Sequence, residues 1–343
     1  MARISTLILS AATLAYLNLA PPQFREPLVE LLSKSPVAAK TIFKLASIYA
    51  GFKLCTGLIS NINSYFSHKK ENNWVEDKYD WEKEVVLITG ASSGLGEQIA
   101  IQLVEKGITI VALDVNPLPE TLAKRATVHF YKCDISDFSA LSATATEIRT
   151  AAHGPPTVII LNAGIVNLGP ILRTPIARSQ KLININLTAN IALIHEFLPS
   201  LIEKNHGHVM FIASMCSYLS LSGMADYCAS KAGLLAFYET LRVELRHVYK
   251  APKVRTSIVH PTWMRTNIIE FDKVEKDPSI SQRKRIFWPL DKSARIVVRA
   301  VLSGYGGRVL VPDAPVMRAI IGLRMAPKWF QEFVRDATRI SIA

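Results

Sequence analysis

A tyrosine and a lysine four residues apart, Tyr227 and Lys231, form the spacing in this sequence that points most directly to chemistry. The residues around them have a helical period, and residues i and i+4 share one face of a helix. A cation held beside a phenol stabilises the phenolate and lowers the phenol pKa from about 10 towards working pH. Such a phenol can protonate a carbonyl oxygen or deprotonate an alcohol. The pair alone is a weak signal, because an exposed helix pair without function has the same spacing.

A glycine-rich turn stands earlier in the chain, directly after the apolar run 85–89, and a helical period follows it. Glycines let a backbone approach a pyrophosphate, and the positive end of a helix attracts the phosphate charge. The turn therefore predicts a dinucleotide site. Its predicted cofactor contacts are Gly90, Ser92, Ser93, Gly94, Leu95 and Gly96.

Asp114 ends the next predicted strand, about 20 residues after the glycine turn, which is the usual place for an acid in dinucleotide sites. A carboxylate there would accept hydrogen bonds from the adenosine ribose hydroxyls and would repel a 2′-phosphate. The position predicts NAD(H) as the preferred cofactor, with NADP(H) as the alternative. The competing interpretation of Asp114 is an exposed turn acid before Asn116 and Pro117.

The elements that must position these residues alternate regularly from residue 84 onwards, because short β-branched runs are separated by stretches with a helical period. Fully apolar strands between helices are typical of a parallel sheet covered on both faces. The sequence therefore predicts an α/β fold, a doubly wound parallel sheet of seven strands with helices on both faces. The predicted strands are 84–89, 108–114, 127–133, 157–161, 208–213, 255–260 and 308–311. The predicted helices include 97–106, 118–125, 139–152, 178–204, 227–250 and 293–303.

The order and spacing of these motifs resemble the short-chain dehydrogenase/reductase (SDR) family, which has a Rossmann fold. The resemblance rests on Thr89-Gly90-xxx-Gly94-x-Gly96, Asn162-Ala163-Gly164 and Tyr227-xxx-Lys231, and it covers about residues 84–312. It implies that the catalytic residues are Ser214, Tyr227, Lys231 and Asn186. It also implies further cofactor contacts from Asp134, Ile135, Asn162, Ala163, Gly164, Tyr227, Lys231, Pro261 and Thr266.

The resemblance gives each catalytic residue a role. Tyr227 exchanges the hydroxyl proton, Ser214 holds the substrate oxygen, and Lys231 binds the nicotinamide ribose and tunes Tyr227. Asn186 kinks a helix and holds a relay water, with Asn184 as the alternative for this position. The alternatives for Ser214 are the nearby hydroxyls of Ser217, Ser220 and Ser222.

Two positions depart from the family's pattern. Thr262 stands where the family usually has a glycine, within the run from Pro261 to Thr266. A threonine rarely takes a positive φ, so the local turn can differ from that of the family, although such a φ is sometimes avoided. Leu161 replaces an asparagine that is common in the family.

Two apolar stretches precede the SDR-like region. Residues 4–20 carry no charge and are almost long enough to span a bilayer, which predicts an uncleaved membrane anchor; a cleaved signal peptide is the alternative. Residues 37–65 are interrupted by three lysines and predict a helix that spans the membrane, lies in its interface or packs on the domain. A polar connector with Trp74 and Trp81 follows. We therefore expect an anchor region 1–80, a catalytic domain 81–312 and a C-terminal extension 313–343.

The net charge of +12 lies almost entirely in the last third of the chain. A basic face attracts phosphates of nucleic acid or anionic lipid. The apolar N-terminus favours lipid, and no motif that reads nucleic acid is present. Residues 282–288 form a basic and aromatic run inside 267–290, where SDR proteins place a substrate-covering loop. Residues 314–343 predict an amphipathic helix that lies on a bilayer, on the domain or on another subunit.

Cysteine and histidine spacing restricts the kinds of site further. The four cysteines show no paired spacing, which argues against a disulfide framework or a zinc cluster and favours a reducing compartment. The eight histidines show no ligand spacing, so the sequence predicts no metal site.

The layout as a whole resembles the membrane-bound retinol and 17β-hydroxysteroid dehydrogenases of the SDR family. This implies a membrane-associated oxidoreductase that interconverts a lipophilic alcohol and its ketone or aldehyde, such as a retinoid, sterol or fatty derivative. We expect the catalytic domain on the cytosolic face of a membrane, of the endoplasmic reticulum or a lipid droplet. The family's dimerisation through two long helices makes a homodimer a further expectation. The alternative is a lipid-associated scaffold without turnover, which would need none of Ser214, Tyr227 and Lys231.

Overall fold

The computed structural model describes residues 36–264 and 287–337, which fall into two units divided between Glu71 and Asn72. The described part of the first unit is one helix, α1 (Pro36–Glu71). Its section Lys44–Glu71 is long and apolar enough to cross a membrane, and its large apolar side chains are mostly exposed. The predicted anchor at residues 4–20 lies outside the described residues.

One seven-stranded parallel sheet forms the centre of the second unit, with the order β3-β2-β1-β4-β5-β6-β7. The order reverses between β1 and β4, and doubly wound sheets bind ligands at the carboxyl ends of the strands beside such a reversal. The predicted fold class is confirmed. The strands are β1 (Val85–Thr89), β2 (Thr109–Asp114), β3 (Val128–Lys132), β4 (Val158–Leu161), β5 (His208–Ile212), β6 (Arg255–Pro261) and β7 (Gly307–Val311).

Helices cover both faces of this sheet, and alternate strand residues pack into two separate apolar cores. Val85 and Leu87 belong to one core, and Val86 and Ile88 belong to the other. All of β1 is therefore buried, which explains why its sequence is continuously apolar. The helices are α2 (Gly94–Val104), α3 (Glu120–Ala123), α4 (Phe138–Thr150), α5 (Ile176–Ile183), α6 (Ala189–Lys204), α7 (Ala225–His247), α8 (Leu290–Leu302), α9 (Pro315–Gly322) and α10 (Lys328–Ala337).

The predicted long helix 178–204 is interrupted in the structure. A single π-helical turn, Asn184–Thr188, joins α5 to α6. The continuous stretch Ile176–Lys204 passes the same length and hydropathy test as α1. Leu193 and Phe197 of α6 are nevertheless fully buried in a core of the sheet, so this stretch is a core helix.

The polar connector after α1 packs on the second unit instead of forming a free linker. The side chain of Asn72 exchanges hydrogen bonds with the backbone of Gly306, accepting at 2.8 Å and donating at 3.3 Å. The buried guanidinium of Arg255 donates to the carbonyl of Asn72 at 2.9 Å, and the hydroxyl of Tyr79 donates to the carbonyl of Gly207 at 2.9 Å. Residues from Asn72 onwards therefore belong to the second unit, which begins nine residues before the boundary that composition indicated.

His208 makes the stability of this fold sensitive to acid. The side chain is fully buried at the start of β5, with Nε2 2.8 Å from the hydroxyl of Ser257. Burial lowers the pKa of His208 to about 3, whereas a histidine in an unfolded chain titrates near 6.5. As the pH falls below 6.5 the unfolded chain binds a proton that the folded chain refuses, so acid favours unfolding.

In the wild type, His208 lowers the free energy of unfolding by up to about 1.4 kcal/mol for each pH unit between pH 7 and pH 5. We expect His208→Gln to lose less stability over this range, because glutamine does not titrate. Denaturant unfolding of the detergent-solubilised protein at several pH values measures this. His195→Gln, at an exposed histidine, is the matched control. Equal pH dependence in the wild type and His208→Gln would contradict the assignment.

Candidate active site

The glycine turn joins β1 to α2 in a conformation that needs glycine. Gly90 and Gly94 have φ values of +68° and +60°. A Cβ on Gly96 would lie 2.1 Å from the carbonyl oxygen of Gly90, so no larger residue fits without moving the backbone. Ser93 directly precedes the first residue of α2. These glycines carry no side chain over the backbone near the N-terminus of α2, as a phosphate-binding turn requires.

Asp114 holds the other side of this turn. Its carboxylate is buried and accepts hydrogen bonds from the amides of Ser92 and Asn116, both at 2.9 Å. The Ser92 hydroxyl donates to the carbonyl of Asn116 at 2.7 Å. The interpretation of Asp114 as an exposed turn acid is therefore wrong. The carboxylate locks the glycine turn to the end of β2 and keeps lone pairs for further donors.

The segment Asn162–Gly164 is tied to the same turn. The side-chain amide of Asn162 donates to the carbonyls of Thr89 at 2.9 Å and Gly90 at 3.1 Å. The hydroxyl of Thr89 in turn accepts from the amides of Asn162 and Ala163, both at 3.0 Å. Thr89 was not among the predicted site residues, although its place before Gly90 was a signal for it. These bonds fix the ends of β1 and β4 to each other.

Asn186 occupies the π-helical turn and is fully buried, whereas Asn184 is exposed. Its side-chain oxygen accepts from the amide of Ile165 at 2.8 Å, and its nitrogen donates to the carbonyl of Ile165 at 2.9 Å. A Cβ on Gly164 would lie 3.2 Å from this oxygen and 3.6 Å from Nζ of Lys231. Asn186, Gly164 and Lys231 are thus neighbours, and of the two candidate asparagines only Asn186 reaches them.

Tyr227 and Lys231 lie on one face of α7, with Nζ of Lys231 5.6 Å from the centre of the Tyr227 ring. The buried Lys231 ammonium donates to the carbonyl of Ile212, at the end of β5, at 2.9 Å. Ser214 follows β5 closely; its hydroxyl accepts from the amide of Cys216 at 3.1 Å and is near enough to Tyr227 to lower the pKa of that phenol. The structure therefore brings Ser214, Tyr227 and Lys231 together at the carboxyl end of β5.

The alternative serine Ser217 has a structural role instead. It is fully buried, and its hydroxyl donates to the carbonyl of Lys231 at 2.9 Å. This bond supports the helix that carries Lys231.

The sequence predicts that Lys231 lowers the pKa of Tyr227 towards working pH, and in the structure this prediction is wrong. Burial raises the pKa of Tyr227 above its ordinary value, and the nearby hydroxyl of Ser214 opposes this only in part. Burial also lowers the pKa of Lys231 to about 8. Both shifts have one cause, because removal from water penalises the charged form of each group. Tyr227 therefore holds its proton tightly at neutral pH. Lys231 loses its positive charge at mildly alkaline pH.

The ring of Tyr227 belongs to a small apolar cluster that is separate from the two cores of the sheet. Its buried members are Cys216, Met224 and Cys228. The partly buried members that pack on them are Val166, Leu168, Leu221, Tyr227 and Trp263.

The remaining predicted cofactor contacts are distributed along the carboxyl edge of the sheet. Asp134 follows β3, is exposed, and accepts from the amide and hydroxyl of Ser136, which lowers its pKa. Ile135 is buried. Pro261 ends β6, and Thr262 has no positive φ, so the turn avoids the conformation that the missing glycine would allow. Thr266 lies outside the described residues, as does most of the predicted loop 267–290.

Asp226, directly before Tyr227, was missed in the sequence. One oxygen of its carboxylate accepts from the side chains of Asn167 at 2.7 Å and Ser179 at 2.9 Å. The other oxygen accepts from the amide of Tyr227 at 2.8 Å. An acid in the first turn of a helix is a recognisable signal, but its partners are more than 40 residues away in the chain.

Within residues 36–264 and 287–337 no group of three His, Cys, Asp or Glu side chains is arranged to hold a metal ion. The four cysteines are all free thiols.

Comparison with known proteins agrees with this geometry. The family model for short chain dehydrogenases matches residues 84–276. The chain is 38% identical over 238 residues to Dehydrogenase RED2 of Cochliobolus heterostrophus, an alignment that covers 68% of this chain and 87% of the relative. It is 36% identical over 194 residues to human Epidermal retinol dehydrogenase 2, covering 54% of this chain and 62% of that protein.

Two further comparisons concern a more distant relative and the fold. The chain is 28% identical over 226 residues to human 17-beta-hydroxysteroid dehydrogenase 13, covering 60% of this chain and 75% of that protein. The crystal structure of a short-chain dehydrogenase from Streptomyces avermitilis superposes with a TM-score of 0.59 at 23% identity, covering 74% of this chain and 94% of that one, and so shares the fold. The chain therefore belongs to the short-chain dehydrogenase family, and it is an oxidoreductase acting on CH–OH groups.

Proposed function

We propose that this protein is a membrane-associated, NAD(P)-dependent oxidoreductase that interconverts a lipophilic alcohol and its ketone or aldehyde. The observation that carries the proposal is the position of Lys231. Its ammonium lies beside Tyr227 on one side and beside Gly164 on the other, and Gly164 belongs to the segment tied to the glycine turn. Lys231 and the segment Asn162–Gly164 thus connect the proton donor Tyr227 to the glycine turn.

The residues present fit a nicotinamide dinucleotide. The turn at Gly90–Gly96 has the positive-φ glycines and the helix N-terminus that suit a pyrophosphate, and the ammonium of Lys231 uses one of its three hydrogens on Ile212. The others suit the hydroxyls of a ribose. Asp134, Ile135, Asn162, Ala163, Pro261 and Thr266 complete the set that we propose for the cofactor. When bound, a nicotinamide supplies or accepts the hydride.

Asp114 favours NAD(H) over NADP(H) in this proposal. Its carboxylate is fixed by Ser92 and Asn116 at the end of β2, so it cannot turn away from a 2′-phosphate. A fixed negative charge repels a phosphate and accepts from a free ribose hydroxyl.

During carbonyl reduction, Tyr227 would donate its proton to the substrate oxygen while the hydroxyl of Ser214 holds that oxygen. The ammonium of Lys231 would stabilise the phenolate that forms, since the surroundings offer that charge little water. Asn186 holds the π-helical turn beside Lys231, where a relay water would return the proton. Alcohol oxidation would use the same groups in reverse.

The lipophilic substrate is proposed from the apolar cluster at Tyr227. A substrate oxygen within reach of this hydroxyl brings its carbon skeleton against Val166, Leu168 and Trp263. Relatives named for retinol and for 17β-hydroxysteroids support the same class of substrate.

Membrane association is proposed from α1, which meets the length and hydropathy of a span and leaves apolar side chains exposed. We place the catalytic unit on the cytosolic face of the endoplasmic reticulum or a lipid droplet. We also propose a homodimer that forms through two long helices, as is usual in the family.

Tyr227→Phe tests catalysis against a scaffold role. It removes only the hydroxyl, so we expect turnover of detergent-solubilised retinoid, sterol and fatty alcohols to fall by about 10²- to 10⁴-fold, while NADH binding measured by fluorescence persists. Tyr131→Phe, which removes a hydroxyl bonded to His153, is the matched control. Undiminished turnover in Tyr227→Phe, or wild-type activity restricted to small polar carbonyls, would contradict the proposal.

Asp114→Asn tests the cofactor preference. The neutral amide keeps the size of the side chain but removes its repulsion, so the ratio of kcat/KM for NADH to that for NADPH is expected to fall by about tenfold or more. Glu120→Gln, at an exposed acid nearby in the chain, serves as the control. A wild type that prefers NADPH, or a ratio that the substitution leaves unchanged, would speak against Asp114 as the discriminating residue.

A further inference from the structure

An exposed apolar tip projects from the segment between β4 and α6. It consists of Ile171 and Leu172 in a short 3₁₀ turn and Ile176 at the start of α5. Their side chains are 57%, 97% and 75% exposed. Single exposed apolar side chains are common on protein surfaces, but here three of them lie within six residues of the chain.

The segments on either side of the tip are held by hydrogen bonds to the start of α7, the helix that carries Tyr227. Asn167 before it and Ser179 after it both donate to one oxygen of Asp226, at 2.7 Å and 2.9 Å. The other oxygen of Asp226 accepts from the amide of Tyr227. A single carboxylate therefore fixes both ends of the tip to the first turn of the catalytic helix.

The chain leading into the tip packs in the same apolar cluster as Tyr227. Val166 and Leu168 pack against the apolar cluster that contains the Tyr227 ring, and the amide of Gly169 donates to the carbonyl of Gly223 at 3.0 Å. Four residues after Leu168 comes Leu172, which is almost wholly exposed. Along the chain, only Gly169 and Pro170 thus separate the cluster at Tyr227 from the exposed tip.

The charges beside the tip are basic. Arg173 and Arg178 are exposed, and neither forms an ion pair with an acid in the described part of the chain. The sequence contains no Asp or Glu between Glu147 and Glu196. Exposed aliphatic groups flanked by arginines complement an anionic lipid surface, in which the side chains enter the acyl region and the guanidinium groups meet the phosphates.

A second copy of the chain fits the tip less well. A stable protein interface buries about 800 Å² per partner, far more than three side chains on one turn supply. A symmetric contact would also bring the arginines of both copies together.

We propose that Ile171, Leu172 and Ile176 dock the mouth of the active site into an anionic bilayer, so that a lipophilic substrate passes from the lipid to Tyr227 without crossing water. This inference rests on the proposed function and adds a second membrane contact, in the catalytic unit itself. The hydrogen bonds to Asp226 hold the tip in a fixed position relative to Tyr227.

Kinetics of the full-length double variant Ile171→Ser/Leu172→Ser test this surface. In vesicles of phosphatidylcholine with one-third phosphatidylserine, KM for a long-chain ketone held in the bilayer should rise about tenfold or more. Both its kcat and the turnover of a small water-soluble ketone should stay unchanged. Val243→Ser/Val248→Ser, at exposed aliphatic residues of α7 and the turn after it, is the control and should change neither. An unchanged KM for the bilayer ketone in the tip variant would overturn the inference. Wild-type turnover of the ketones would still uphold the proposed function.

A fluorescent probe tests docking independently of turnover. In a Cys55→Ser background, which removes the exposed native thiol, Leu172→Cys and Val248→Cys carry the same environment-sensitive label. We expect quenchers on the lipid chains to quench the label at position 172 and not at 248, and more strongly in anionic than in neutral vesicles. Equal quenching at both positions would overturn the inference. A response at 172 that requires a second protein molecule and no lipid would also overturn it and assign the tip to a dimer.

Discussion

The ammonium group of Lys231 lies buried between the end of β5 and the ring of Tyr227, and the organisation of the site depends on its hydrogen bond to the carbonyl of Ile212. Burial of a charge is costly unless hydrogen bonds compensate it. The protein supplies one such bond from the sheet and leaves two ammonium hydrogens for other partners. The same burial makes the charge effective, because an electrostatic interaction away from water is stronger than an exposed one. A phenolate formed on Tyr227 would meet this cation in a setting with little competing solvent.

Each surrounding element contributes to that arrangement. The parallel sheet brings the ends of β1, β4 and β5 to one edge, and Asn162 and Thr89 bind two of those ends together. The π-helical turn moves Asn186 inwards, next to Gly164 and Lys231. Ser217 supports the helix under Lys231, and Asp226 fixes the start of the same helix. The position of the ammonium is therefore determined from several sides.

Local sequence patterns predicted much of this. Strands such as β1 are continuously apolar because both faces are covered, and the glycine turn was visible because Gly90, Gly94 and Gly96 have steric requirements that other residues cannot meet. The resemblance to the SDR family chose Asn186 over Asn184, which periodicity alone could not do.

Features that arise from the tertiary structure were not predictable. The π-helical turn depends on the backbone of Ile165, about 20 residues away, and the partners of Asp226 lie further still. The connector looked like a linker by composition, yet Asn72 and Tyr79 bind backbone groups that only the folded sheet brings near. The direction of the Tyr227 pKa shift depends on burial, and the spacing of a tyrosine and a lysine does not reveal burial.

The pH dependence of single-turnover ketone reduction tests the role of Lys231 most directly, because it isolates hydride and proton transfer from product release. Burial lowers the pKa of Lys231 to about 8, so the wild-type rate should fall as the pH rises through this value and the ammonium is lost. Lys231→Arg keeps a positive charge to above about pH 12, so this fall should move to much higher pH even if the overall rate is lower. An alkaline fall that stays at the same pH in the variant would contradict the account.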